Sequence, residues 1–189
     1  MRRVIVQEFV SVDGLASGPE DVDFIPASVA GDRSFGQRQV EFMDSVDAIL
    51  LGRVTYELFA EYWPNVTSGE DKEFADKINR ISKVVFSKTL DRAPWGSWPE
   101  ATIVRSDAAR EVGRLKRQSG KDMVIWGSIS LAQSLLAAGK VDEIQLIVCP
   151  VVLATGRRLF DDQHGSSTLE PRGSRSFDRG AVLLQYGPR

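Results

Sequence analysis

The chain has 189 residues, of which 42% are hydrophobic and 26% charged, with a formal net charge of -2. That length suits one domain spanning residues 1–189 with a substantial core, and the composition excludes a disordered chain. A slightly acidic balance argues against a nucleic-acid partner, because the arginines at Arg157–Arg158 and Arg172–Arg179 lie among acidic and polar residues rather than on a basic run.

The elements follow in chain order. Val4–Val12 alternates and is β-branched, which predicts a strand. Ser11-Val12-Asp13-Gly14 ends it, and residues 13–31 read as a long loop of the kind that is often functional. Phe35–Ser45 carries Phe35, Gln39, Phe42 and Met43 at helical spacing. Ala48–Leu51 is an apolar strand, and Thr55–Tyr62 is a helix stopped before Pro64. Lys72–Ile81 predicts a helix, Lys83–Phe86 a strand, and residues 90–100 a connection with two prolines and two tryptophans. Thr102–Val104 is a strand, and Ser106 or Asp107 caps a helix over 108–118. Met123–Trp126 is a strand, and Ser128–Ala138 a helix ended by Gly139. Ile144–Val152 is a long apolar strand, central or at an interface. Arg158–Phe160, Ser174–Phe177 and Ala181–Tyr186 read as further strands. Alternating strands and helices predict an α/β fold with a mostly parallel sheet and antiparallel C-terminal strands.

A single cysteine, Cys149, excludes an internal disulfide and reads as a buried small hydrophobe. No run is long enough to span a bilayer, and Gln7 and Glu8 interrupt any signal core, so a cytoplasmic protein is expected. His164 is the sole histidine and lies in a polar loop; neither a metal site nor a Ser-His-Asp arrangement has support around it. Trp63, Trp95 and Trp98 lie near prolines, where they pack loops or floor a flat pocket.

Three strands end in similar chemistry: Leu51-Gly52-Arg53-Val54-Thr55, Phe86-Ser87-Lys88-Thr89 and Trp126-Gly127-Ser128-Ile129. At such strand ends a helix N-terminus offers free N–H groups and a positive dipole end. Gly52 and Gly127 allow close backbone approach, the hydroxyls can donate, and Arg53 and Lys88 carry charge. Such junctions are either plain turns or parts of a site for a ligand with several phosphates. Neither G-x-G-x-x-G nor G-x-x-x-x-G-K-[ST] is present, against a Rossmann or P-loop site.

Taken together, "SVDG" at 11–14, "LLGRVTYE" at 50–57, "VVFSKTL" at 84–90 and the stretch from Gly120 to Phe160 resemble the dihydrofolate reductase superfamily. The closest likeness is to its bacterial branch related to the riboflavin-biosynthesis (RibD C-terminal-like) reductase domain, over about residues 3–187. The resemblance implies a three-layer α/β/α fold around a mixed sheet, NADPH as cofactor and an oxidoreductase passing hydride to a small heterocycle or a related carbonyl or imine. It places Gly52, Arg53 and Thr55 on the cofactor's phosphates. Ser87, Lys88, Thr89 and Arg105 lie around the 2′-phosphate, and Gly127, Ser128 and Ile129 over the pyrophosphate. The segment 9–18 would cover the nicotinamide, and Trp126 would narrow the pocket beside it. A cis Trp126–Gly127 bond and a homodimer joined through the β-rich end are expected on the same ground.

One departure concerns the acid on the first long helix: its position falls near Arg38, with no carboxylate, and Glu41 lies a turn further on. Folate reduction is therefore not expected. Asp13 matches the loop aspartate of the riboflavin-type branch and is the candidate catalytic residue, in competition with a turn-forming role. Alternatives are the pyrimidine reductase of riboflavin biosynthesis, acting on a 5-amino-6-ribosylamino-pyrimidine, and a catalytically inactive NADP-binding protein.

Overall fold

The computed structural model describes residues 1–18, 28–160 and 165–189. Its strands are β1 (Val4–Ser11), β2 (Val46–Gly52), β3 (Ser82–Phe86), β4 (Thr102–Val104), β5 (Asp122–Trp126), β6 (Glu143–Cys149), β7 (Leu169–Ser176) and β8 (Val182–Pro188). The helices are α1 (Arg33–Met43), α2 (Arg53–Tyr62), α3 (Lys72–Arg80), α4 (Ala108–Lys116) and α5 (Ile129–Ala137). The strands form one sheet in the order β4-β3-β2-β5-β1-β6-β8-β7. Every pairing from β4 to β6 is parallel, and β8 runs antiparallel to both β6 and β7. The long apolar strand β6 is thus interior, held between β1 and β8.

The core lies in two layers, one on each face. Val112 and Leu115 of α4 and Ile129, Ala132 and Leu135 of α5 pack with Val4, Val6, Val10, Leu50 and Ile125. On the opposite face Phe42 and Met43 of α1, Tyr56 of α2 and Ile78 of α3 pack with Ile5, Ile49, Leu51, Val85 and Trp126. Strands buried on both faces read as continuous apolar runs, which is why β2 and β5 are recognisable in the sequence. Asp32 and Asp107 cap α1 and α4 by accepting from the N–H of Phe35 and of Arg110.

The chain leaves β5 toward the α4/α5 face, whereas β2 leads into α2 on the other face and β1 toward α1. Neighbouring strands whose connections depart to opposite faces leave a crevice at their carboxyl ends, and β5 has one on each side.

Two expectations are corrected. Arg158–Phe160 is no strand: only Arg157 makes an isolated bridge, to Ser17, so this segment is coil stitched to the first loop. The Trp126–Gly127 bond is trans. Gly127 at φ 50° and Ser128 at φ 56° supply the reversal through two successive left-handed residues instead. Of the expected strand Ser174–Phe177, Ser174–Ser176 is the end of the longer edge strand β7, and Phe177 lies just beyond it.

Candidate functional site

All strand ends singled out in the sequence fall on one edge of the sheet. Gly52 pairs with Phe86 and Phe86 with Val104, so the β2, β3 and β4 ends lie side by side. Leu50 pairs with Ile125, which puts Gly127 level with Gly52. From Arg105 after β4 to Asp13 after β1 the edge spans four strand spacings, about 19 Å at roughly 4.8 Å each. That is a length suited to an extended dinucleotide.

The β2 and β5 junctions are locked together. The Gly52 N–H donates to Ser128 Oγ at 2.8 Å, and the Ser128 N–H donates to Thr55 Oγ1 at 2.9 Å. Each hydroxyl accepts from a backbone N–H, so its own proton remains free to donate toward the edge. Neither α2 nor α5 is capped by a side chain at its start, which leaves the first-turn N–H groups open to a ligand. A Cβ added to Gly127 would come within 3.2 Å of Thr55 Cγ2, so the turn has no room for a larger residue. Ile129 is buried in the α5 core and can offer only its backbone N–H.

The cations lie around this turn. Arg53 is exposed and its Nη1 contacts both carboxylate oxygens of Glu57, at 2.8 and 3.0 Å. At the β3 end Ser87 is buried, and its Oγ accepts from the N–H groups of Thr89 at 3.2 Å and Leu90 at 3.1 Å. Lys88 and Thr89 are exposed beside it. Arg105 donates to the carbonyl of Leu90, and its guanidinium is 3.9 Å from Asp91. The structure thus gathers Arg105, Ser87, Lys88 and Thr89 at one end, with Gly52, Arg53, Thr55, Gly127, Ser128 and Ile129 in the middle.

Asp13 and Trp126, the two candidates for the substrate side, are both engaged by neighbouring groups. Asp13 accepts from the N–H of Leu153 at 3.1 Å and of Ala154 at 2.9 Å, one on each carboxylate oxygen. Hydrogen bonds from Ser11, Leu153 and Ala154 hold its carboxyl down at about 2. It therefore clamps the first loop to the segment after β6, beside the Val12–Val151 and Ala16–Arg157 backbone bonds. A folded-state value below the ordinary 3.8 stabilises the fold above that pH and stops doing so as pH falls toward 2. Asp13→Asn should accordingly melt below the wild type at pH 7, with the difference closing between pH 4 and pH 2 in a thermal melt series. An unchanged melting temperature at pH 7 would refute the clamp.

Trp126 is buried among Phe42 and Phe74, and its indole N–H donates to Gln7 Oε1 at 2.8 Å. The same Oε1 accepts from Gln39 at 2.7 Å, and Gln7 Nε2 donates to Gln145 Oε1 at 2.8 Å. Gln145 donates on to Glu143 at 2.7 Å, where Arg3 and Arg172 also bind. The inward residue of α1 is thus Gln39, while Arg38 lies over the Phe42 ring at 5.4 Å and Glu41 is exposed. The four-residue spacing of Phe35 and Gln39 carried that signal.

Sequence reasoning missed this amide chain and also Glu8, which is buried with Oε2 unpartnered. The available signal was two polar residues inside an otherwise apolar strand. Trp95 is fully buried with its N–H on Asn79 and Lys83 4.4 Å over its ring, a core role. Cys149 is buried, and burial pushes its thiol up. His164 lies outside the described residues. Among the described residues no cluster could hold a metal, and no helix is long and apolar enough to cross a membrane.

Known proteins share this fold. The chain is 31% identical over 187 residues to YyaP of Bacillus subtilis (strain 168), described as an uncharacterized protein, covering 98% of this chain and 94% of that one. A protein provisionally assigned to riboflavin biosynthesis from Shewanella sp. PV-4 superposes with a TM-score of 0.76 at 19% identity, covering 99% of both chains. Dihydrofolate reductase from Enterococcus faecalis, solved with NADP(H), superposes with a TM-score of 0.64 at 12% identity over 99% of this chain and 96% of that one. The fold is therefore that of dihydrofolate reductase. With residues 2–183 matching its pattern, the chain belongs to the RibD C-terminal domain family.

Proposed function

We propose that this chain is an NADPH-dependent reductase that passes hydride to a small planar heterocycle or a related carbonyl or imine. The observation that carries this reading is the interlocked Gly52–Ser128–Thr55 turn pair in the middle of a cation-bearing edge. Arg105, Ser87, Lys88 and Thr89 would hold the 2′-phosphate. The first N–H groups of α2 and α5, the freed hydroxyl protons of Thr55 and Ser128, and Arg53 would hold the pyrophosphate. The nicotinamide end would then fall between β5 and β1, under the loop that Asp13 clamps. When bound, the cofactor supplies the hydride; the chain's part is to orient it and to exclude water.

Asp13 is held ionised and engaged on both oxygens, so it serves this reaction by fixing the loop, and the proton accompanying the hydride comes from elsewhere, with water the simplest source. A pyrimidine of riboflavin biosynthesis is one alternative heterocycle, supported by membership of the RibD C-terminal domain family. A second reading, a protein that binds the cofactor without turning it over, is favoured by one observation: α1 presents a hydrogen-bonded neutral amide, Gln39, where an acid would be expected.

The test is a thermal shift with NADPH, NADP and NADH. NADPH at about a hundred times its Kd should raise Tm by roughly 5–10 °C, and NADH clearly less. No stabilisation by any of the three overturns the reading. Stabilisation by NADPH without oxidation across a panel of pterins, pyrimidines and quinones selects the second.

A further inference from the structure

Glu8 is used by nothing described so far. It is 3% exposed, and Oε2 has no hydrogen-bond partner among the described residues. A buried orphan carboxyl oxygen is unusual enough to call for an account. Gln7 pairs with Trp126, so Glu8 stands level with Gly127, on the far side of it from Gly52. By alternation with Val4, Val6 and Val10 its side chain faces the α5 layer, the side on which Ser128 lies against Gly52. Gly127 and Ser128 are therefore flanked by the phosphate turn on one strand and by a carboxyl on the other.

Among the described residues no charged side chain faces Glu8 closely enough to fix its state. Helix α5 contains no ionisable residue, and the neighbours Leu146 and Val148 on β6 and Ile125 on β5 are apolar. From the first loop comes Ala16, with Asp13 engaged on Leu153 and Ala154. From the segment after β6, Arg157 binds Ser130 and Arg158 the Asp13 carbonyl. On α4, Arg110 is exposed, Lys116 is paired with Asp142 and Arg114 with Glu111. Burial pushes the Glu8 carboxyl up to about 8, with only the Phe9 backbone opposing.

We propose that Glu8 is a proton-binding site coupled to the dinucleotide edge: protonated, it permits a pyrophosphate-bearing ligand at Gly127–Ser128, and ionised, it repels one. The inference rests on the reductase reading for the position of the ligand. A carboxylate on the neighbouring strand, roughly 8 Å from a phosphate at an effective dielectric of about 20, weakens binding by roughly tenfold to thirtyfold. A bound anion in turn raises the Glu8 value further, so binding takes up a proton above pH 8. Affinity is then flat below about pH 7 and falls as pH rises through 8.

The experiment is calorimetric titration of NADPH into wild type and Glu8→Gln at pH 6.5, 7.5, 8.5 and 9, each in two buffers of different ionisation enthalpy. Wild type should lose about fivefold in affinity between pH 7.5 and 9 with net proton uptake, and Glu8→Gln should stay within twofold. Equal slopes in the two proteins overturn the proposal. Absence of binding to either at pH 6.5 would instead sink the reductase reading beneath it. Lys83 also titrates near 8, but it lies near the start of β3 on the opposite face, and Glu8→Gln leaves it in place. In melts at pH 9 without ligand, Glu8→Gln should exceed wild type; equal melting temperatures would show a hydrated Glu8 and also overturn the proposal.

Discussion

Gln7→Leu should destabilise the protein by about 4 kcal/mol, read as a shift in the urea midpoint at constant slope. The substitution is close to isosteric, so it opens little cavity. What it removes is a junction. Gln7 accepts from both Trp126 and Gln39 and donates to Gln145, and all four side chains are buried. Each group left unpaired in the interior costs on the order of 1–3 kcal/mol, and three are left here: an indole N–H, an amide N–H and an amide oxygen. Part of that is recovered by local rearrangement, which sets the figure near the lower half of the sum. Against a domain stability of about 5–15 kcal/mol the loss is severe. Because the partners share one network, Gln7→Leu combined with Gln39→Leu should cost less than the two single changes together. A loss below about 1 kcal/mol would show that water replaces the amide.

The same residues show how far the sequence could be read. Strands β2, β5 and β6 were legible because burial on both faces forces continuous apolar runs, and the helices because Phe35, Gln39 and Phe42 recur at one turn. The edge strand β7 was only half legible: Leu169–Ser176 is mostly exposed, and backbone pairing with β8 orders it rather than any apolar pattern. Residues 158–160 resemble a strand because Leu159 and Phe160 are apolar, yet Leu159 is buried from a coil. For the site, each hydroxyl and glycine was visible as a candidate. Their interlock was not, since Thr55 and Ser128 are far apart in the chain and meet only because β2 and β5 are neighbours. Glu8 was hidden for a related reason: a glutamate in a strand reads as surface until the layer covering it is known.

Arg53→Glu should weaken NADPH binding by at least a hundredfold, with little change in the melting temperature of the free protein. The free protein is indifferent because Arg53 is exposed and its ion pair is with Glu57 one turn away, an exposed i,i+4 pair of the kind worth a few tenths of a kcal/mol. Binding is different. The start of α2 has no side-chain cap, so an anion there meets open N–H groups, the positive helix end and the Arg53 fork together. Reversal removes an attractive charge and installs a repulsive one at that point, beside Glu57, so two carboxylates would face the ligand. Losing one charge-assisted pair and adding one like-charge repulsion costs about 3 kcal/mol or more, which is the hundredfold. Glu57→Gln is the complementary change: it frees the guanidinium and should tighten NADPH binding by a few fold. Unaltered affinity in Arg53→Glu, in a protein that melts like wild type, would remove Arg53 from the cofactor edge.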